Sequence, residues 1–409
     1  MTGAMYAAIA GLKTHMSKMN VIGNNIANVN TNGYKSQRTI FKDAMYTMYS
    51  SGSDGTTTTA GRNPSQVGYG SQVSSIDLNM ATGSYAPGIS TDCMIYGDGF
   101  FMVGDKNVNI DPLDPDSTKK LSLTRVGDFS FKADGYLSDG NGNAVYGFLC
   151  TGKDAEGKPI VSDQLVAIRL PRMEKVYTKE GETTEFTQAQ YDEAVKANPA
   201  DAKLYTAKYN IRYPVDKDAT DATKYAALQD FTTKDADGKT VEYPFAQLDS
   251  VSINAETGAI TGTSKDTDEV VTIGYLAIGN VTNPNGVSHT EGFYYTAGDG
   301  SGDLQVSMLG GVAEDLGITS VNGSLFEDAR NAAVADKRPG INDTTTQSQK
   351  MLIGSAGGTN LMTGGLEGSN VDLATEISEM ITTQRGYQAN TRIITVTDSM
   401  LEELVNMKR

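Results

Sequence analysis

The chain has 409 residues and a formal net charge of −16, with 34 basic and 50 acidic side chains. So acidic a chain offers nucleic-acid phosphates no net counter-charge, which argues against a nucleic-acid-binding protein. Only two cysteines and two histidines, His15 and His289, are present, which disfavours a disulfide-rich scaffold, most zinc sites and most histidine-dependent catalysis. No apolar run approaches the roughly 18 residues of a membrane-spanning helix. The length predicts about two to four domains.

The first 27 residues predict a helix with an apolar seam that faces a partner helix. Apolar residues recur at alternating spacings of four and three, the pattern of paired helices. Lys13, His15 and Lys18 interrupt the apolar run and no small-residue cleavage site follows, so a cleaved signal peptide is not expected. An asparagine-rich stretch is expected to end the helix near Asn28. The predicted seam consists of Met5, Ile9, Leu12, Met16, Met19 and Ile26.

The middle of the chain changes to a β pattern. Residues 50–62 are linker-like, and short alternating strands with Asp-Gly and Asn-Gly turn signals follow from about 66 to 150. Beyond 150 the chain is more charged, and one helix is predicted over 187–196, capped by Thr187 and Gln190. No element is predicted for 297–350. Further strands are predicted over 164–170, 243–253 and 269–278.

The last segment predicts a long helix, because 371–407 contains no proline and a single glycine. Ser369 or Asn370 is expected to cap it, with Asp372 in the first turn. At about 55 Å such a helix needs several neighbours, although apolar helical residues more often form an ordinary core. The predicted seam is Leu373, Ile377, Met380, Tyr387, Ile394, Leu401 and Val405, with Gln384 in register, and a second stripe is Ile393, Val396, Met400, Leu404 and Met407.

These elements predict an α+β fold. A coiled-coil-like pair of terminal helices is expected to carry two mainly-β domains, each formed by an outgoing and a returning chain segment. The predicted domains are a helical core of 1–30 and 368–409, a linker over 31–70, an inner β domain of 71–150 and 286–367, and an outer β domain of 151–285.

Several short motifs come close to a chemical site and fail. The segment from Gly147 to Lys153 resembles a phosphate-binding loop, but Asp154 stands where a magnesium-binding hydroxyl is needed. Asp139, Asn141 and Asn143 have calcium-loop spacing, but the required glycine and the bidentate glutamate are missing. We therefore predict a strand and a turn at these places.

The remaining candidates are equally weak. Asp235 and Asp237 stand among turn residues and are more typical of a solvated surface than of a general acid and base. Cys93 and Cys150 could pair, although free buried thiols are favoured. We predict no catalytic, cofactor-binding or metal-binding residues, and hence a protein that is not an enzyme.

The two ends carry motifs of one known family. Val21-Ile-Gly-Asn-Asn-Ile-Ala-Asn28 and Thr31-Asn-Gly-Tyr-Lys35 resemble the amino-terminal motif of the bacterial flagellar rod and hook family. Leu366-Glu-Gly-Ser-Asn-Val-Asp-Leu373 and Gln384-Arg-Gly-Tyr-Gln388 resemble its carboxyl-terminal signature. Gly97-Asp-Gly-Phe-Phe101 is similar to its first strand motif. The motifs occur in the family's order, so the resemblance is specific.

The resemblance implies a self-assembling tube outside the cell, with an inner layer of paired terminal helices. Residues whose role it implies to be subunit packing are Asn24, Asn25, Asn28, Gly33, Tyr34, Lys35, Glu367, Ser369, Asn370, Val371, Asp372, Leu373, Gln384, Arg385 and Tyr387. It also implies export through the flagellar type III apparatus without a cleaved signal peptide. The implied partners are further copies of the chain, the distal rod, the hook–filament junction proteins and the hook cap, with no cofactor, nucleic acid or membrane.

Within the family, the large middle insertion is typical of a hook subunit, a flexible structural joint between motor and filament. The alternative within the family is a distal rod subunit. An alternative of another class is a secreted enzyme or adhesin whose active domain lies in 151–350.

Overall fold

The computed structural model divides the chain into two compact units. A terminal unit comprises Met1–Ser84 and Gly368–Arg409, and a middle unit comprises Tyr85–Glu367. None of the described helices is both long and apolar enough to span a membrane. The structure describes residues 2–55, 57–58, 60–106, 110, 118–153, 159–162, 165–181, 183–216, 228–234, 240–265, 267–302, 304–308, 319–320 and 359–407.

Three α-helices lie among the described residues: α1 (Thr2–Ala27), α2 (Gln188–Ala197) and α3 (Leu373–Asn406). They confirm the three predicted helices and, with the strands between them, the predicted α+β fold. Thr187 and Gln190 form the predicted capping box of α2. The cap of α3 was wrongly predicted, because Asp372, and not Ser369 or Asn370, accepts the hydrogen bond from Ala374 N.

In the terminal unit α1 and α3 pack as an antiparallel pair. Gly11 lies so close to Asn390 that a Cβ atom on it would come within 2.6 Å of the amide nitrogen. Gly386 lies equally close to the ring of His15, at 2.7 Å by the same measure. Lys18 forms an ion pair of 3.0 Å with Glu379. Partner positions rise along one helix and fall along the other, which sets the antiparallel direction.

A pair of two-stranded antiparallel sheets completes the terminal unit. Strand β1 (Gln37–Asp43) pairs with β4 (Ser71–Leu78), and β2 (Tyr46–Ser50) pairs with β3 (Ser65–Gly68). Gly70, with φ of 102°, lets the chain pass against α1. The structure therefore differs from the predicted linker over 31–70 and joins residues 71–84 to the terminal unit. The linker composition is confined to the β2–β3 connection, while the flanking residues alternate as strands do.

The middle unit is built on a large sheet of 14 described strands. Its main path runs β21-β22-β23-β11-β7-β8-β25-β24, and short strands pair at its edges. The bounds are β7 (Phe100–Gly104), β8 (Ser122–Thr124), β9 (Ser130–Phe131), β10 (Leu137–Ser138), β11 (Ala144–Lys153), β12 (Pro159–Val161), β13 (Val166–Ala167), β21 (Leu248–Ile253), β22 (Ala259–Ser264), β23 (Val270–Val281), β24 (Val287–His289), β25 (Tyr294–Ala297), β26 (Leu304–Met308) and β27 (Thr319–Ser320).

The core of the middle unit lies along β11 and β23. Both strands are almost wholly buried, because β23 pairs with β11, β7, β22 and β26. Phe101, Leu149, Ile168 and Ile278 belong to one apolar cluster there. Strands β21 to β23 thus share a sheet with β7, although the predicted outer domain of 151–285 placed them apart from it.

The large sheet carries a separate three-stranded sheet, called here the small sheet. It has the order β15 (Glu185–Thr187), β14 (Arg172–Lys179) and β16 (Tyr205–Arg212), and α2 packs against it. Two short 3-10 helices are Pro199–Leu204 and Pro284–Gly286. The remaining strands form two-stranded sheets: β17 (Val215–Asp216) with β18 (Leu228–Gln229), β19 (Thr232–Lys234) with β20 (Thr240–Glu242), β5 (Tyr85–Pro87) with β29 (Gly365–Glu367), and β6 (Cys93–Tyr96) with β28 (Asn360–Thr363).

The near-miss motifs have the structures predicted for them. Gly147 lies within β11, where a Cβ atom would collide with the carbonyl of Tyr275. Asp139 accepts hydrogen bonds from the backbone N–H groups of Asn141 and Asn143, so the spacing belongs to a turn. Cys93 and Cys150 are free and buried, as favoured. Asp235, Asp237 and most of 297–350 lie outside the described residues.

Candidate assembly surface

The first group of predicted site residues gathers around Asn25, which is buried. Its amide donates to the backbone carbonyl of Gln37 (2.8 Å) and to Glu376 Oε1 on α3 (2.9 Å). Its Oδ1 accepts hydrogen bonds from Gln37 N and Tyr34 Oη, both at 3.0 Å. One side chain therefore joins α1, the following loop, β1 and α3.

The asparagine-rich loop closes the end of α1 by local hydrogen bonds. Asn28 donates to the carbonyl of Asn24, and Asn24 donates to Tyr34 Oη at 3.0 Å. Gly33 has φ of 70°, a left-handed conformation that glycine adopts without strain. The loop is thereby turned back toward β1.

A second cluster of hydrogen bonds fixes the start of α3. Asn370 accepts from Ser36 N at 2.7 Å and donates to the carbonyls of Asn79 and Ala81. Lys35 is 1% exposed and also donates to the Ala81 carbonyl, at 3.0 Å. The two chain ends are thus joined by polar side chains that reach backbone atoms.

Glu367 belongs to the middle unit and is buried as well. Its carboxylate lies 3.8 Å from the guanidinium of Arg125, and both side chains are almost fully buried. Arg125 also donates to the carbonyls of Gly97 and Ile95.

Asn25, Gly33, Lys35 and Glu367 are buried in the single chain, where the polar contacts of Asn25, Lys35 and Glu367 stabilise the fold. The predicted role of these residues in subunit packing stays a prediction.

The predicted seam of α1 is not its most buried face. Met5, Ile9, Leu12, Met19 and Ile26 are half-buried, and Met16 is 46% exposed. The buried face instead follows Ala8, Gly11, Thr14, Val21, Ile22 and Asn25. The small and polar residues of this face let the neighbouring elements approach closely. A search for large apolar residues does not find such a face.

In helix α3 the predicted seam differs from the buried face even more than in α1. The face toward α1 carries Glu376, Met380, Thr383, Asn390 and Thr397, which are buried or half-buried. Tyr387 and Ile394 are half-buried, whereas Gln384 and Arg385 are exposed. The large apolar residues turn outward: Leu373, Ile377, Ile381, Ile393, Val396, Met400, Leu401, Leu404, Val405 and Met407 are all exposed.

The last turns of α3 extend past the start of α1. Gly11 is level with Asn390, so the same antiparallel register brings Thr2 level with Ser399. Residues 398–407 are all exposed, with Val405 at 64%. An apolar face of this extent in water marks an interaction surface. We call Val396, Met400, Leu401, Leu404, Val405 and Met407 the α3 apolar face.

Two titratable groups lie between the helices. Burial raises the pKa of Glu376, against the hydrogen bond from Asn25 that lowers it. Burial, and then the charge of Lys18, lowers the pKa of His15. The ring of His15 also packs edge-on against Phe41 of β1. The helix pair therefore favours a neutral imidazole.

Sequence reasoning missed a further apolar surface on β2 and β3. Met45 is 81% exposed, and Tyr46, Met48, Tyr49 and Val67 are also exposed. Every residue of β2 is exposed, so this ribbon lacks a core of its own. The run of Met and Tyr in residues 45–49 was the available signal.

The ends of the chain match two family descriptions. Residues 5–35 match the family described as "Flagella basal body rod protein". Residues 362–407 match the family described as "Flagellar basal body rod FlgEFG protein C-terminal". The matched segments contain most of α1 with the asparagine-rich loop, and all of α3.

Known proteins match the whole chain. The flagellar hook protein FlgE of Borreliella burgdorferi is 28% identical over 457 aligned residues, and that of Treponema pallidum is 25% identical over 487. The flagellar basal-body rod protein FlgG of Bacillus subtilis is 25% identical over 414. Each match covers 100% of both chains.

Proposed function

We propose that the chain is a member of the flagellar rod and hook protein family and a structural subunit of the flagellar hook. In this proposal many copies assemble into a flexible tube that acts as a universal joint and transmits torque from motor to filament. Whole-length similarity to hook proteins supports it, because the match includes the middle unit as well as both ends.

The α3 apolar face is the observation that carries the proposal. Its six large side chains are exposed along about the last three turns of one helix. Covering them with other copies of the chain would remove apolar area from water, at roughly 25 cal/mol per Å². Every subunit of a polymer gains this favourable free energy of burial, so the face favours the assembly of many copies.

The mechanism follows from the difference between the units. The helices make permanent apolar contacts, while the middle units meet through polar surfaces. The middle of the chain carries most of the net negative charge, which keeps these surfaces hydrated and free to slide as the tube bends. The subunit is non-catalytic in this proposal.

A distal rod subunit is the second candidate, favoured by the match to the rod protein of Bacillus subtilis. Electron microscopy of purified hook–basal bodies that carry an epitope-tagged copy distinguishes the two. We expect the label along the curved hook. Label confined to the straight rod would identify a rod subunit.

The proposal includes partners and a location. The chain is exported by the flagellar type III apparatus and assembles outside the cell. There it contacts the distal rod, the hook cap and the hook–filament junction proteins.

The double substitution Leu401→Asp and Leu404→Asp tests the assembly surface. Both residues are exposed in the single chain, at 38% and 41%, so the charged variant is expected to fold normally. In a polymer two unpaired carboxylates would be buried in each subunit, which costs several kcal/mol. We expect the purified variant to stay monomeric by light scattering, with an unchanged far-ultraviolet circular dichroism spectrum.

The matched control is Ser378→Asp with Thr382→Asp. It adds the same two charges at exposed polar positions four residues apart on the same helix. The control is expected to assemble like the unaltered chain. Normal tubes from the Leu401/Leu404 variant would show that α3 does not carry the contact between subunits.

A further inference from the structure

Three chain stretches meet where the small sheet joins the large sheet. The outgoing crossing runs through Arg169 and Pro171 into β14, and the returning crossing runs through Phe245 into β21. The third stretch follows β18 and contains Asp230. The crossings lie side by side, since Met173 N donates to the Pro244 carbonyl and Ala246 N to that of Pro171, each at 2.8 Å.

Asp230 bridges two arginines at this junction. Its Oδ1 accepts from Arg169 Nε at 2.6 Å, and its Oδ2 accepts from Arg172 Nη2 at 2.7 Å. Arg169 pairs through an isolated β-bridge with Tyr136, which directly precedes β10 of the large sheet, whereas Arg172 is the first residue of the small sheet. One carboxylate therefore spans the two sheets.

The rest of the junction holds Arg172 in one position. Its Nη1 donates to the Tyr243 carbonyl at 2.8 Å, and its guanidinium stacks 3.8 Å from the ring centre of Phe245. Phe245 in turn packs on Gly135, where a Cβ atom would come within 2.7 Å of its ring. The arginine thus has contacts in several directions, and a lysine could not make them all.

The charges are compatible with a permanent ion pair. Burial alone would raise the pKa of Asp230, but the two guanidinium groups outweigh it and lower the pKa. Asp230 and both arginines are also largely shielded from solvent. Removing one partner of such a shielded pair destabilises the fold more than removing one partner of an exposed surface pair.

We infer that Asp230 is a latch that fixes the angle between the small sheet and the large sheet by clamping Arg169 and Arg172 together. Without the carboxylate, two guanidinium groups would repel each other across the crossings. The small sheet would keep its own strand pairing and swing about the two crossing strands.

Spin-label distances on the full-length chain test the latch. Labels on Lys208→Cys in the small sheet and Glu256→Cys in the β21–β22 turn report the angle, because both positions are exposed and the native thiols Cys93 and Cys150 are buried. Double electron–electron resonance should give a narrow distance distribution. Asp230→Asn, which keeps the shape and removes the charge, should broaden it at least twofold.

The control is Asp249→Asn on β21, which removes the carboxylate of an exposed ion pair with Lys265 and should leave the width of the distance distribution unchanged. Arg172→Lys is the second variant, since it keeps the charge and loses the stacking and the paired hydrogen bonds, and it should broaden the distribution less than Asp230→Asn. Unchanged widths in folded Asp230→Asn, or in Arg172→Lys if the first variant does not fold, would overturn the latch.

Discussion

His15 shows how a single side chain can make the helix pair sensitive to pH. Its ring lies between Gly386 of α3 and Phe41 of β1, and its Nδ1 is buried without a hydrogen-bond partner among the described residues. Protonation would place a second positive charge near Lys18. The neutral form is therefore the one that the fold accommodates.

The sign of the pH effect follows from the lowered pKa. The unfolded chain binds a proton at His15 near pH 6.5, whereas the folded chain binds it only at lower pH. The stabilisation is complete above pH 6.5 and is lost as the pH falls through the folded pKa. Urea unfolding between pH 8 and pH 5 should show this loss, and His15→Leu should show less of it. If the free energy of unfolding fell equally with pH in the unaltered chain and in His15→Leu, His15 would not be the cause of the loss.

Gly70 provides a second test at the scale of one residue. A Cβ atom there would lie 2.9 Å from the Ala7 carbonyl, and its φ of 102° strains any other residue. Gly70→Ala should lower the free energy of unfolding by about 1–3 kcal/mol. Gly23→Ala on α1 is the control, because nothing lies within 4 Å of its Cβ position, and it should raise that free energy by about 0.5–1 kcal/mol. Equal effects would show that Gly70 is not in close contact with α1.

At the scale of elements, sequence patterns predicted which segments form helices but not which faces they bury. The alternating spacing of four and three identified α1 and α3, and local capping chemistry located α2 closely. The buried faces of α1 and α3 depend on Gly11 and Gly386, which permit close approach but carry no apolar signal. A hydrophobic pattern alone assigns large apolar residues to the inside, whereas most of those on α3 are exposed.

Strand pairing was harder to predict for a related reason. Residues 248–281 are distant in sequence from β7 and β11, and only tertiary contacts bring them into one sheet. The charged composition beyond 150 suggested a separate domain, but β21 to β23 lie in that range and pair within the large sheet. Residue order alone does not reveal such long-range pairing.

The sheet topology predicts which deletion the middle unit can tolerate. Replacing 173–243 with a short Gly-Ser link removes the small sheet and strands β17 to β20, and it joins Arg172 to Pro244, at crossings that lie side by side. The shortened chain should unfold cooperatively in urea and retain the β signal of the large sheet. Removing 155–280 should abolish folding, because β23 would be lost from its centre. Cooperative folding after the longer deletion would contradict this topology.

At the scale of the whole molecule, the two units divide the work of a structural subunit. The terminal unit combines buried clusters of polar hydrogen bonds with exposed apolar faces. The middle unit buries its apolar residues in the core of a sheet. Residues 5–35 and 362–407, which match the family descriptions, contain most of the residues that make these polar contacts, whereas the exposed apolar positions could be located only from the structure.

Thiol labelling of the polymer tests the central claim that copies of the chain cover the α3 apolar face. Val405→Cys places a reactive thiol on that face, and Thr184→Cys places one at an exposed turn of the small sheet. In the monomer both should react rapidly with a maleimide, whereas Cys93 and Cys150 are buried. In assembled tubes we expect Val405→Cys to react at least tenfold more slowly, with Thr184→Cys much less affected. Equal reactivity of Val405→Cys in monomer and tube would contradict the account.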